Sequence, residues 1–119
     1  MQKIVHRATT RGYAAHGWLT TRHTFSFGSG FDAHGHENME IISIPLQGAL
    51  AHEDNTGHES ILYPNDVQVM SAGTGIVHTE YNHAPQAPVH FLQLWIRPTP
   101  HNVSPRYAQH SYEPTDWHN

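Results

Sequence analysis

Apolar and polar residues alternate along much of this chain in short runs with a period of two. From residue 22 to 27 the side chains of His23, Phe25 and Phe27 fall on one face of such a run. A β-strand turns successive side chains to opposite faces, so this spacing predicts strands. Runs of β-branched, aliphatic and aromatic residues over 39–45, 49–53, 58–62, 67–70, 76–81 and 89–96 carry the same expectation. Turn signals separate them: Gln47-Gly48, the hairpin loop 54–57 ending in Gly57, the Pro64-Asn65 turn, and Ser71-Ala72-Gly73-Thr74-Gly75. Gly57 supplies positive φ freely, and Asn65 tolerates the left-handed region almost as well. Helical periodicity is nearly absent. Many short strands with glycine-bearing turns predict an all-β barrel or sandwich.

The character changes after Arg97. Pro98, Pro100, Pro105 and Pro114 exclude regular helix and central strand from this part. We therefore read residues 1–97 as one domain, and 98–119 as a proline-rich tail that docks on the domain or on a partner chain. A length of 119 residues suits a single compact core.

Charge narrows the function classes. The net charge is −4, and the six Lys and Arg residues are scattered. Direct nucleic-acid binding and adhesion to anionic membranes are therefore not expected. No run of about 18 apolar residues is present to span a bilayer. The first 18 residues lack an apolar stretch of signal-peptide length, so a cytoplasmic protein is expected. Cysteine is absent, which excludes disulfides and limits any metal site to nitrogen and oxygen ligands.

Histidine is the unusual component, with 13 dispersed copies. Most are read as surface or hydrogen-bonded residues. Two segments differ: Asp32-Ala-His-Gly-His-Glu-Asn-Met-Glu40 and Gly75-Ile-Val-His-Thr-Glu-Tyr-Asn82. Each holds two potential ligands two residues apart, His34 with His36 and His78 with Glu80. On strands, each pair points to one side. If the strands are neighbours, three imidazoles and one carboxylate converge on the barrel interior. Such a set suits Fe, Mn, Co, Ni, Cu or Zn rather than Ca or Mg.

The same residues resemble a known family. His34-x-His36, Glu40 and Gly48 resemble the first cupin motif. Pro64-Asn65-Asp66 and His78-x-x-x-Asn82 resemble the second, with Asn65 where glycine is usual. More narrowly, His16-Gly-Trp-Leu19, His23-Thr-Phe-Ser-Phe27, Met39-Glu-Ile41, the run from Met70 to Asn82, Leu94-Trp-Ile96 and Pro105-Arg-Tyr107 are similar to the pirins. The resemblance implies a single cupin, a jelly-roll β-barrel, shortened relative to the two-domain pirins. It implies one divalent transition metal, iron first, on His34, His36, His78 and Glu80. Glu40 matches a carboxylate ligand of many other cupins and is a second choice.

The resemblance also implies activity on a flavonol-like substrate with O₂, as in a quercetin 2,3-dioxygenase. Glu80 would then be both ligand and catalytic base. The alternatives are a non-enzymatic metal-dependent regulatory or redox-sensing protein, or another metal enzyme such as an isomerase. Relative to the family pattern, the second cupin domain is missing and the segment between Phe27 and His34 is short. An uncovered barrel face invites a second copy, so a homodimer is expected, through the N-terminal segment around Ile4 to Trp18 or through the tail. Trp18, Phe25, Phe31, Tyr81, Phe91 and Trp95 are candidates to line a pocket, with core packing as the ordinary role for such residues.

Overall fold

The computed structural model describes residues 9–13, 18–26, 29–84, 86–98, 101–113 and 115, and of residues 9–13, 18 and 19 the backbone alone. The expectations placed on Ile4, the Trp18 side chain, Phe27, Pro100 and Pro114 lie outside that description.

The described chain is β-structure throughout, in the order β1 (Thr9–Tyr13), β2 (Trp18–Phe25), β3 (Gly30–His36), β4 (Glu40–Gln47), β5 (Leu50–Asp54), β6 (Glu59–Leu62), β7 (Asp66–Ser71), β8 (Ile76–Asn82), β9 (Val89–Ile96) and β10 (Arg106–Ser111). They form two antiparallel sheets. The larger has the order β1-β2-β9-β4-β7-β10 and the smaller β3-β8-β5-β6. The all-β expectation holds. Strands β2 and β4 to β9 fall where the alternation put them, within a few residues. The hydrophobic pattern does not show β1 and β10: both are sheet edges, and their segments Thr-Thr-Arg-Gly-Tyr and Arg-Tyr-Ala-Gln-His-Ser lack an alternating apolar set.

Parity decides what the sheets enclose. On β8, Ile76, His78, Glu80 and Asn82 are buried, while Val77 is exposed. On β9, Val89, Phe91 and Gln93 are buried, and on β4, Ile41, Ser43 and Pro45. Two apolar clusters result. Phe25, Leu50, Leu62, Val89 and Phe91 pack together with the partly buried Phe31, and Ile41, Met70, Ala72 and Ile76 pack with Met39. Each fully buried side chain of this size contributes on the order of 1.5–3 kcal/mol. Between the clusters, the same strands place polar residues inward: Ser43, His52, Gln68, His78, Glu80 and Gln93, all at most 2% exposed. Phe25 and Phe91 are therefore core, and Phe31 is packed against it.

The turns behave as their residues require. Asn65 takes φ +78° and Gly57 φ +92°. After β9 the chain crosses the β7–β8 turn, where Thr74 N–H donates to the Val103 carbonyl at 2.9 Å. Gly73, at φ +53°, leaves the room for this crossing; a Cβ there would lie 2.0 Å from the Val103 oxygen. The chain then pairs on β7 as β10, with Tyr107 opposite Met70 and Gln109 opposite Gln68.

Candidate metal centre

The site begins with an irregularity. In the β3–β8 ladder Phe31 faces Glu80 and His34 faces His78, so the register slips between Phe31 and His34. A bulge of this kind re-aims the side chains that follow it. Here it lets Phe31, which packs edge-on against Phe25 at 4.9 Å, and His34 both face the interior although they are three residues apart. Gly30 makes the close approach possible, since a Cβ there would stand 2.1 Å from the Glu80 carbonyl oxygen.

Beyond the bulge, strand parity brings His36 to the same side. His78 Nε2 lies 2.8 Å from His34 Nε2 and 3.1 Å from His36 Nε2. It is also 3.4 Å from Glu80 Oε1. A ring nitrogen carries one hydrogen or one lone pair and cannot satisfy three such neighbours. Lone pairs directed at a common cation resolve the conflict. Two nitrogens at right angles on a metal, each about 2.0–2.1 Å away, stand about 3.0 Å apart. The His78 separations match that spacing, and the donor atoms of all three histidines lie within 4.8 Å of one another. The residues present fit a divalent transition metal.

Protonation favours the same use. His34 Nδ1 lies 2.7 Å from the Asp32 carbonyl, an acceptor, so Nδ1 carries the hydrogen and Nε2 keeps its lone pair toward the cluster. Burial, with help from His34, brings the His36 pKa down to about 4. Burial, then His34, His36 and His52, brings His78 down to about 3. Both rings are neutral at physiological pH, as ligands must be. Burial pushes the Glu80 carboxyl up to about 7, against the pull of a hydrogen bond from Gln93.

The surrounding residues come from both sheets. Gln93 of β9 donates from Nε2 to both Glu80 oxygens at 2.9 Å and lies 3.2 Å from Ser43 Oγ. Trp95 packs edge-on against His36, ring centroids 4.9 Å apart. His52 of β5 lies behind His78, ring centroids 5.3 Å apart. Its Nε2 is 2.7 Å from Asp54 Oδ2, and its Nδ1 accepts from Gln68 Nε2 at 3.0 Å. Burial raises the Asp54 carboxyl, but hydrogen bonds from Thr56, His52 and His58 outweigh it and hold the group at about 2. A shallow depression of about 540 Å³ opens beside His36, bordered by Gly35, Glu37, Asn55, Gly75, Ile76 and Val77.

Of the residues singled out in the sequence, His34, His36 and His78 meet, with Glu80 against His78. Glu40 does not join them. It alternates with the buried Ile41 and accepts a hydrogen bond from Ser71 at 2.5 Å in the larger sheet. Tyr81 is half-buried and donates to Glu53 at 3.2 Å on the smaller sheet. Gln93, Ser43, His52 and Gln68 were not singled out as site residues. A buried polar residue in the alternating run Val89-x-Phe91-x-Gln93-x-Trp95 was the available signal.

Comparison with known proteins adds the lineage. The Pirin family profile matches residues 5–96. A quercetin 2,3-dioxygenase of Escherichia coli K12 is 36% identical over 131 aligned residues, covering 90% of this chain and 57% of its own length. The crystal structure of bacterial pirin YhhW from Escherichia coli in complex with nickel(II) superposes with a TM-score of 0.81 at 28% identity, covering 92% of this chain and 55% of that one. GK1651 from Geobacillus kaustophilus gives a TM-score of 0.78 at 33% identity, over 92% of this chain and 46% of that one. The chain thus spans about half the length of the relatives it matches. With its two antiparallel sheets and the profile match over most of its length, it belongs to the pirin family and has the cupin fold.

Proposed function

We propose that the chain is a metal-dependent oxidoreductase of the quercetin 2,3-dioxygenase type, acting with O₂ on flavonol-like substrates. His34, His36, His78 and Glu80 would hold one divalent transition metal, iron first, with Mn, Ni, Co, Cu or Zn able to occupy the same donors. The observation that carries the reading is the meeting of His34 and His36 Nε2 on His78 Nε2, with Glu80 Oε1 at 3.4 Å. An iron held there would supply Lewis acidity and redox chemistry toward O₂.

This chain's own groups would do the rest. The neutral imidazoles of His36 and His78 offer lone pairs without first losing a proton. Glu80, the carboxylate beside His78, would accept the proton of an acidic aromatic hydroxyl. Phe31 and Trp95, against His34 and His36 respectively, would wall the substrate position and exclude water.

Two further parts belong to the same proposal. Residues 1–97 form the functional domain, with 98–119 as its appended tail, in a cytoplasmic protein; among the described residues no helix is long and apolar enough to cross a membrane. A homodimer would form by strand pairing, because β10 ends the larger sheet with one edge unpaired by any described strand. The test of activity is anaerobic loading with iron followed by measurement of O₂ uptake with quercetin. Stoichiometric metal without uptake on any of several flavonols would favour the regulatory alternative.

A further inference from the structure

The buried amide of Gln93 is held in a single orientation. Trp95 Nε1 lies 3.0 Å from Gln93 Oε1. An indole N–H only donates, so the amide oxygen must face it. Gln93 Nε2 then necessarily faces the interior, where it meets both Glu80 oxygens at 2.9 Å and Ser43 Oγ at 3.2 Å. Its two hydrogens suffice for one bond to Ser43 and one shared between the carboxylate oxygens. The flipped amide would set NH₂ against the indole N–H and carbonyl oxygen against the carboxylate, two repulsions in place of two attractions.

Register explains why these groups coincide. Ser43 of β4 is the ladder partner of Gln93. Trp95 is two residues further along β9 and so shares its face. Glu80 comes from the opposing sheet, and both it and Gln93 are at most 2% exposed. A carboxylate this deeply buried has little freedom that Gln93 does not set. The indole that orients Gln93 also packs on His36. The chain Trp95–Gln93–Glu80 therefore connects one histidine of the cluster to the carboxylate beside another.

We infer that Gln93, oriented by Trp95 and Ser43, is the positioning residue that holds the Glu80 carboxylate in place as the fourth donor beside His34, His36 and His78. The inference rests on the proposed metal site and deepens it. Gln93 itself touches neither metal nor substrate. Its effect is exerted on where the carboxylate stands, and outer partners of this kind typically change metal affinity about 10–100-fold.

Cobalt(II) is the probe, because its visible absorption reports the number and kind of donors independently of any catalysis. Wild type, Gln93→Leu, Trp95→Phe, Glu80→Gln and His78→Ala would be titrated with cobalt(II) and their spectra recorded at saturation. Gln93→Leu should bind cobalt(II) about 10–100-fold more weakly. Its saturated spectrum should shift to that of Glu80→Gln, since both lose the placed carboxylate. Trp95→Phe removes the indole N–H together with part of the ring that packs on His36, while keeping an aromatic side chain at this position. It should shift affinity and spectrum in the same direction by less, and it keeps the test open if Gln93→Leu does not fold. A purely structural role would lower the melting temperature of the metal-free variants while leaving the saturated spectrum that of wild type. That result, or unchanged affinity in both variants, would overturn the inference while leaving the site intact. Equal cobalt(II) binding by wild type and His78→Ala would instead remove the site, and the inference with it.

Discussion

His34 and His78 are direct partners across the β3–β8 ladder, and their Nε2 atoms lie 2.8 Å apart. Nothing about a register pair requires ring nitrogens to meet; here they do so because the bulge after Phe31 and strand parity aim both inward. His34→Ala and His78→Ala should each abolish stoichiometric metal binding. His110→Ala, on the exposed face of β10, should leave it unchanged. Elemental analysis of the purified variants measures this, and equal metal in all three would refute the ligand set.

His52 distinguishes support from ligation. It is fully buried, bonded to Asp54 and Gln68, and faces the back of His78. His52→Ala would leave the Gln68 amide and the Asp54 carboxylate without this partner, a loss on the order of 1–3 kcal/mol in folding stability. The variant should retain one metal per chain. Urea denaturation together with elemental analysis reads both effects, and loss of metal from a folded variant would make His52 part of the centre.

Metal-free stability should follow the buried histidines. His36 and His78 titrate at about 4 and about 3 in the fold, below the ordinary value of 6.5. Between those values and 6.5 the unfolded chain binds protons that the folded one does not, so stability rises with pH over that window. Glu80 has the opposite sign. Its folded value of about 7 lies above the ordinary 4.5, so the folded chain holds one extra proton there, and stability falls as pH rises between them. Two histidines against one carboxylate leave a net gain from about pH 4 to about pH 6.5. Above that the histidine contribution is complete, and only the falling Glu80 contribution remains, to about pH 7. Tryptophan-fluorescence unfolding of metal-free protein across this range checks the curve; stability that declines steadily from pH 4 would contradict it.

Gly30 tests the bulge. An alanine Cβ there would stand 2.1 Å from the Glu80 carbonyl and 2.4 Å from Tyr81 Cα, both backbone atoms that cannot swing aside. Gly30→Ala should push β3 away from β8, destabilise the fold by about 1–3 kcal/mol and weaken metal binding as His34 is displaced. Wild-type stability and metal content in this variant would show that the close approach is dispensable.

Much of this arrangement is legible in the chain itself. The His34/His36 and His78/Glu80 pairs could be placed on common faces because a strand has period two, and the alternating run 89–96 predicts β9 end to end. The bulge could not be read, since Gly-Phe-Asp-Ala gives no regular alternation and its effect depends on β8 as a partner. β10 escaped for a related reason: an edge strand whose residues are mostly exposed needs no apolar face. Gln93 was hidden because its role depends on Glu80 from the other sheet, a contact no local pattern encodes. Glu40 is the reverse case, a carboxylate of suitable type whose parity sends it away from the histidines.

The most direct measurement is O₂ consumption by the iron-loaded protein given quercetin, with metal content determined on the same sample. The expected result is uptake in proportion to quercetin consumed, absent in His78→Ala and impaired in Glu80→Gln, where the amide keeps the shape but cannot take a proton. A fully metallated wild-type protein that consumes no O₂ with quercetin or any related flavonol would contradict the oxidoreductase reading.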